Sequence, residues 1–314
     1  MYFDINKVTT ISSLGGGPIG AGWAAYFLSK GYKVRSYIHD KTEELVYETI
    51  VKTAWESLVE IGLCESASLE NLLISTNLEE VLEGTHFVQE SIPENLNLKR
   101  DFYKVMGELV PNHIVIASST SGLTMTEIQK LCYTPERTVI GHPFNPPYLL
   151  PLVEIVGGKK TSKLAVEWAY KFYKSAGKEP LAMKKEIPGF VATRLQEALW
   201  REALHMVASG EATPEQIDIA LINGPAPRMA VQGQCMAFHV ACGEGGMATN
   251  LDQFGPALKL PWTRLTAPEL TTELRNKMVD GCNAMANGKL FEELARQRDK
   301  SIVAVLNAIK ISRL

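Results

Sequence analysis

The stretch that most constrains this 314-residue chain is Gly15-Gly16-Gly17-Pro18-Ile19-Gly20. It lies between a β-branched apolar run, Val8 to Leu14, and a helical pattern, Ile19 to Lys30, so it reads as the turn from a first strand into a first helix. In such a turn Gly15 permits the sharp reversal, Gly17 lets backbone approach a phosphate, and Gly20 lets the helix pack close to the strand. Pro18 pre-sets the first helical φ, and the helix start at Ile19 offers unspent amides to negative charge. Gly15, Gly17, Pro18, Ile19 and Gly20 are therefore expected to bind a dinucleotide.

Short β-branched segments recur at Val34 to Ile38, Leu72 to Ser75, Phe87 to Glu90, Ile114 to Ala117 and Thr138 to Gly141. Helical patterns at Lys41 to Ile61, Leu98 to Leu109 and Met125 to Leu131 alternate with them, which predicts an α/β fold: a Rossmann-type doubly wound sheet over residues 1–187. Pro188-Gly189 then introduces a helical run, Phe190 to Ser209. Thr213, Pro214 and Gln216 form a capping box with proline at the first helical position, leading into Ile217 to Ile222. Further helical patterns at Leu270 to Gly281 and Lys289 to Lys310 predict an all-α C-terminal domain over 188–314.

In a dinucleotide fold an acidic residue about 20 positions beyond the glycines ends the second strand and holds the adenosine ribose. Here that place is taken by Ile38, in Tyr37-Ile38-His39-Asp40, which leaves Asp40 to reach back from the loop. No arginine between 38 and 40 offers itself to a 2′-phosphate, so NAD is the expected cofactor.

Glu154 lies in the apolar run Leu152-Val153-Glu154-Ile155-Val156, where a carboxylate is costly unless something faces it. His142 ends the preceding strand, and Pro143-Phe144-Asn145-Pro146-Pro147 forces a turn able to bring the two side by side. A histidine oriented by a buried carboxylate is a general base with a fixed tautomer. Ser119-Thr120-Ser121 follows another strand and falls at the same edge, where a hydroxyl could meet a substrate oxygen. No Gly-x-Ser-x-Gly elbow accompanies it, so acyl-enzyme chemistry is not expected.

The formal net charge of -3 gives no footprint for a polyanion, so nucleic acid is not an expected partner. Apolar stretches such as Leu149 to Val156 fall short of a membrane span of about 20 residues. Asp4 and Lys7 interrupt the N-terminus where a signal peptide needs an apolar core, so a cytoplasmic location is expected. The five cysteines form no CxxC pair; they read as reduced structural thiols, and no metal site is expected.

Gly141-His142-Pro143-Phe144-Asn145-Pro146-Pro147 followed by Leu150-Pro151-Leu152-Val153-Glu154 resembles the signature of the 3-hydroxyacyl-CoA dehydrogenase family. The resemblance implies a catalytic serine, histidine and glutamate at Ser121, His142 and Glu154, an active-site asparagine at Asn145, and a glutamate and lysine near the nicotinamide ribose at Glu94 and Lys99. It extends over nearly the full length and is nearest the λ-crystallin-like branch that acts on L-carnitine, implying NAD-dependent oxidation of a small 3-hydroxy acid by a homodimer.

Independently, the segment Lys41 to Ser75, where CoA-using relatives hold the substrate's nucleotide end, carries only Lys41 and Lys52 against many glutamates. A trimethylammonium head would instead want aromatic faces, which Tyr148, Trp200, Phe238, Phe254 and Trp262 could supply. Arg201 and Arg228 are both candidates for a substrate carboxylate, and Thr193 departs from the family pattern near the substrate. Two alternatives stay open: a short-chain 3-hydroxyacyl-CoA dehydrogenase, and, motivated by Ile38, Thr193 and Met229, a weakened or structural, crystallin-like dinucleotide binder.

Overall fold

The computed structural model describes residues 2–312 except 243, 245, 257–259, 261, 262, 265, 267, 268 and 270, so Trp262 lies outside the described residues. The chain divides into two compact units, Met1–Thr193 and Arg194–Leu314.

The first unit is built on one sheet. Its strands are β1 (Thr10–Leu14), β2 (Lys33–Tyr37), β3 (Leu72–Ser75), β4 (Phe87–Glu90), β5 (Ile116–Ser118), β6 (Thr138–Pro143), β7 (Leu152–Gly157) and β8 (Glu179–Ala182). They lie in the order β3-β2-β1-β4-β5-β6-β7-β8, parallel throughout except where β6 meets β7. The connecting helices are α1 (Pro18–Ser29), α2 (Glu44–Ile61), α3 (Leu78–Leu82), α4 (Leu96–Leu109), α5 (Met125–Ile128) and α6 (Lys163–Ser175). The order reverses between β1 and β4, the switch point at which doubly wound sheets leave a crevice at their carboxyl edge.

Central strands covered on both faces must be apolar on both, and Ile11, Leu14, Val34, Val88, Ile116, Val139 and Ile140 are fully buried. One face packs Tyr103 and Met106 of α4 and Ile128 of α5 against Val88, Ile116 and Ile140. Across the other lies an aromatic layer in which Phe87 meets Phe172 at 4.3 Å, Trp168 stacks on Phe172 at 5.2 Å and Trp23 stacks on Phe27 at 5.1 Å between ring centroids. Each such ring contributes roughly 1.5–3 kcal/mol by burial, enough to fix α1 and α6 on that face.

The sequence reading assigns no element to α6 or β8. Ser162 nevertheless caps α6 through the Ala165 amide at 3.1 Å, and its buried residues Ala165, Trp168, Ala169, Phe172 and Tyr173 follow helical spacing. β8 carries Pro180 and lies at the sheet edge, where proline is tolerated but weakens the strand pattern.

The second unit is helical. Its helices are α7 (Ala192–Ala208), which begins two residues before the division, α8 (Pro214–Asn223), α9 (Pro225–Ala241), α10 (Gly246–Phe254), α11 (Thr272–Ala286) and α12 (Phe291–Ser312). The expected capping box is formed: Thr213 accepts the Gln216 amide while the Gln216 side chain accepts the Thr213 amide at 3.0 Å. α9 bends at Gly233, whose φ of 70° interrupts the helix; with Pro225 and Pro227 at its start, it has little sequence signal as a helix. Arg264 bridges Glu202 and Glu211 at 2.9 and 2.7 Å, tying the loop after α10 to α7 and the turn beyond it. Among the described residues no helix is long and apolar enough to cross a membrane.

Candidate active site

The carboxyl edge of the sheet gathers the glycine turn, Ser91 to Glu94 after β4, Ser119 to Ser121 after β5 and the end of β6, because Leu14 pairs with Glu90, Glu90 with Ser118, and Ser118 with Ile140.

At the turn Gly15 has φ 129°, and a Cβ there would strike the Ser91 carbonyl. A Cβ at Gly20 would strike the Gly15 carbonyl, so α1 can approach the turn only through glycine. Gly17 differs: a side chain there would meet nothing within 4 Å, so the turn opens outward. No side chain caps α1 at Gly17, so the Ile19 and Gly20 amides stay available to an anion. Gly15, Gly17, Pro18 and Ile19 line a cleft of about 900 Å³ with Tyr37, Glu43 and Ser91. The open turn and uncapped helix start fit a dinucleotide, whose diphosphate Gly17 and the Ile19 and Gly20 amides would hold.

Ile38 is fully buried, so the strand-end acid is truly replaced by a core residue. Asp40 is exposed and caps the turn before α2, its Oδ1 accepting from the Thr42 amide at 2.8 Å and the Thr42 hydroxyl at 2.7 Å. These bonds hold its carboxyl below the ordinary value.

His142 and Glu154 pair directly across the antiparallel β6–β7 ladder. His142 Nδ1 lies 2.9 Å from Glu154 Oε2, and Glu154 Oε1 accepts the amides of Val191 at 2.8 Å and Ala192 at 3.0 Å. Glu154 is fully buried and His142 is 5% exposed. Burial pushes the Glu154 carboxyl up, but the hydrogen bonds from His142, Ala192 and Val191 outweigh it and hold the group below the ordinary carboxylate value. An ionised carboxylate only accepts, so Nδ1 carries the proton and Nε2 is left with a lone pair. The pair can take up and return a proton at Nε2. Phe144 and Phe190 flank the imidazole at 5.4 and 5.3 Å between centroids.

Glu94 is half-exposed, and its Oε1 accepts from the Thr120 hydroxyl at 2.5 Å and the amides of Ser121 and Gly122, each at 3.2 Å. Lys99 is buried. Its ammonium donates to Glu90 Oε1 at 2.6 Å and the Ile92 carbonyl at 3.0 Å and stands 3.7 Å from Glu94 Oε2. Glu90, itself fully buried, also accepts the Ser118 hydroxyl at 2.6 Å and the Ile92 amide at 2.8 Å. Sequence reasoning sees Glu90 only as a strand residue; its partner lies nine positions on, with the Pro93 turn between them. Ser119, beside the expected Ser121, is fixed by Trp23 Nε1 at 3.2 Å, Gln89 Nε2 at 2.8 Å and Ser91 Oγ at 2.8 Å.

Asn145 is exposed in the β6–β7 connection, three residues past His142, and the bond to Pro146 is cis. That connection is held from beneath by Lys178, whose ammonium donates to the carbonyls of Pro147 and, at 3.0 Å, Leu150, and lies 3.7 Å from the centre of the Tyr26 ring. Burial, and then the nearby Lys30, lower the Lys178 ammonium well below its ordinary range. Nothing local in the sequence marks this lysine as an interior anchor. Tyr148 is buried, with Gly22 of α1 close to its ring. Thr193 is half-buried near the start of α7, while Trp200, Arg201 and Arg228 are exposed on α7 and α9.

Comparison with known proteins agrees with this architecture. Residues 10–187 match the NAD binding domain of 3-hydroxyacyl-CoA dehydrogenase, and residues 189–279 match that family's C-terminal domain. L-carnitine dehydrogenases from Nocardiopsis dassonvillei and Streptomyces coelicolor are each 50% identical over 96% of this chain, covering 92% and 95% of their own lengths. Among solved structures, a 5-formyl-3-hydroxy-2-methylpyridine 4-carboxylic acid 5-dehydrogenase, an NAD+-dependent dismutase, superposes with a TM-score of 0.82 at 26% identity, covering 96% of this chain and 99% of its own. The (S)-3-hydroxybutyryl-CoA dehydrogenase of Ralstonia eutropha gives 0.62 at 27% identity, with 70% and 78% covered. The glycine cradle at the switch point and a family match across both units make the chain an NAD-dependent oxidoreductase acting on CH–OH groups of a small molecule, and a member of the 3-hydroxyacyl-CoA dehydrogenase family.

Proposed function

We propose that this chain oxidises the 3-hydroxyl of L-carnitine, or of a close quaternary-ammonium hydroxy acid, to the 3-keto acid. The observation that carries this reading is the near full-length similarity to proteins named L-carnitine dehydrogenase. The charge of the first unit supports it over an acyl-CoA. Between residues 41 and 75 the two lysines, Lys41 and Lys52, each face a glutamate, Glu44 and Glu48, so this acidic stretch offers little counter-charge to the phosphates of CoA. Trp200, Phe238 and Phe254 keep exposed aromatic faces on the helical unit, each able to hold a trimethylammonium with about 0.5–2 kcal/mol. Arg201 and Arg228 are the arginines proposed for the carboxylate.

Bound NAD supplies hydride acceptance at the alcohol carbon. In this mechanism His142 Nε2 takes the hydroxyl proton, while Glu154 holds Nδ1–H and stabilises the imidazolium that forms. Ser121 and Asn145 hold the substrate oxygen in line with Nε2. Glu94 orders the Thr120-Ser121-Gly122 loop and Lys99 restrains Glu94 from within, a pair that would hold the nicotinamide ribose of bound NAD.

We also propose a homodimer through the helical unit. Leu195, Ile219, Ile222 and Leu251 there are each more than half exposed, apolar side chains that a second copy could cover. Light scattering on the purified protein tests it, and a monomer at micromolar concentration refutes it. For the activity, protein is mixed with NAD and L-carnitine and NADH formation is followed by absorbance. Turnover is expected; its absence from neutral to alkaline pH, alongside turnover of acetoacetyl-CoA with NADH, would transfer the assignment to an acyl-CoA substrate.

A further inference from the structure

The adenosine end of the cleft carries an unusual arrangement. In a dinucleotide fold a carboxylate at the end of the second strand receives the ribose hydroxyls. That position is Ile38, fully buried, with its side chain turned into the protein. Yet the place is not left without an acid. Glu43, five residues on, folds back from the turn before α2, and its Oε2 accepts the His39 amide at 3.3 Å. A Cβ built on Gly16 would collide with Glu43 Oε2 and lie 3.5 Å from Ile38 Cγ2. The Glu43 carboxylate thus sits directly over the glycine turn at the tip of β2, and a side chain at position 16 would have to displace it. Glu43 is half-buried and lines the cleft with Gly15, Gly17, Tyr37 and His39. Asp40, the nearer acid in sequence, has its Oδ1 committed to the Thr42 amide and hydroxyl.

We propose that Glu43 supplies the carboxylate that receives the two hydroxyls of the adenosine ribose, in place of the strand-end acid that Ile38 has displaced, and so sets the preference for NAD over NADP. The inference rests on dinucleotide binding at the glycine turn. A carboxylate has the lone pairs to accept both hydroxyls of a cis-diol while keeping its bond to an amide. The same negative charge repels a 2′-phosphate; the nearest lysine in the chain, Lys41, faces another carboxylate, Glu44. The relocation also gives Gly16 a neighbour, since the Glu43 carboxylate occupies the space a side chain there would enter.

The test is direct binding, with dissociation constants for NADH and NADPH measured by titration calorimetry on the wild type, Glu43→Gln and Asp40→Asn. Wild type should prefer NADH. Glu43→Gln should weaken NADH by about tenfold or more, the scale of lost hydrogen bonds to a charged acceptor, and leave NADPH unchanged or tighter, so that the preference collapses. Adding Ile38→Asp to Glu43→Gln should restore part of the NADH affinity. An unchanged preference in Glu43→Gln, or a collapse in Asp40→Asn instead, overturns the assignment. A wild type that binds neither dinucleotide overturns the reading of the glycine turn itself. Glu43 lies in a surface turn, and matching thermal unfolding of the variants guards against misfolding as the cause.

Discussion

Replacing Glu154 by glutamine isolates what the carboxylate does for His142. Glu154 Oε1 accepts two backbone amides, Val191 at 2.8 Å and Ala192 at 3.0 Å, while Oε2 faces His142 Nδ1 at 2.9 Å. A glutamine in that place must keep its carbonyl oxygen on the amides, because the reverse orientation sets an NH2 against two N–H donors. Its NH2 then points at Nδ1, which must become an acceptor, and the ring proton moves to Nε2, the atom required to take the substrate's proton. Shape and burial are almost unchanged, and all three contacts survive as neutral hydrogen bonds. Loss of their charge assistance should cost roughly 1–2 kcal/mol of folding stability. The rate should suffer far more, because a misplaced proton removes the general base, typically about 10²–10⁴-fold, or roughly 3–5 kcal/mol of transition-state stabilisation. Initial rates of NADH formation with L-carnitine, set beside urea unfolding of the same preparations, separate the two effects. A Glu154→Gln protein within about threefold of the parent kcat/KM would refute the tautomer argument and assign the proton to another group.

His142→Ala, with folding intact, should lower the rate by roughly 100-fold or more in the same assay, and an unchanged rate would place proton transfer elsewhere. Lys99→Met leaves the buried Glu90 carboxylate without its cation and should cost about 3–5 kcal/mol in urea unfolding, partly recovered in Glu90→Gln/Lys99→Met; equal stability of all three would show the pair to be dispensable. Gly20→Ala drives a methyl into the Gly15 carbonyl and should cost about 1–3 kcal/mol of stability and weaken NADH in calorimetry, whereas Gly17→Ala, facing open space, should spare the fold and weaken NADH alone. For acid stability the sign follows from Glu154. Its folded pKa is below the ordinary value near 4.5, so the unfolded chain binds the proton first as pH falls. The stability it contributes is full above that ordinary value and is lost as pH falls through the lowered one. Thermal unfolding should fall steeply there, and Glu154→Gln should flatten the slope; parallel profiles would show that the carboxyl is not held ionised.

Residues whose roles depend on near neighbours were legible in the sequence. The glycine turn, the strands Leu72–Ser75 and Phe87–Glu90 and the Thr213 capping box all rest on patterns within a few positions. Glu154 announced itself because a carboxylate in an apolar strand demands a partner, and a proline-rich turn left His142 as the candidate across it. What stayed hidden depends on tertiary contact. Lys178 reads as a surface lysine until its ammonium is found under the β6–β7 connection. Glu43 reads as the first turn of a helix, since nothing in its neighbourhood reveals that it folds back over Gly16. The α9 helix was masked by two prolines and a glycine, residues whose local preference its packing overrides.

The two amides on Glu154 carry a consequence for how such an enzyme can be divided. Val191 and Ala192 stand at the threshold of α7, beyond the last strand of the sheet. A fragment ending at β8 would contain the glycine cradle and both members of the His142–Glu154 pair proposed as the base, yet its carboxylate would lose two of the donors that help hold it ionised. Dinucleotide recognition should outlive that excision, whereas the proposed proton transfer should weaken. The support of the proposed base thus reaches later in the chain than the sheet, into the first residues of backbone at α7.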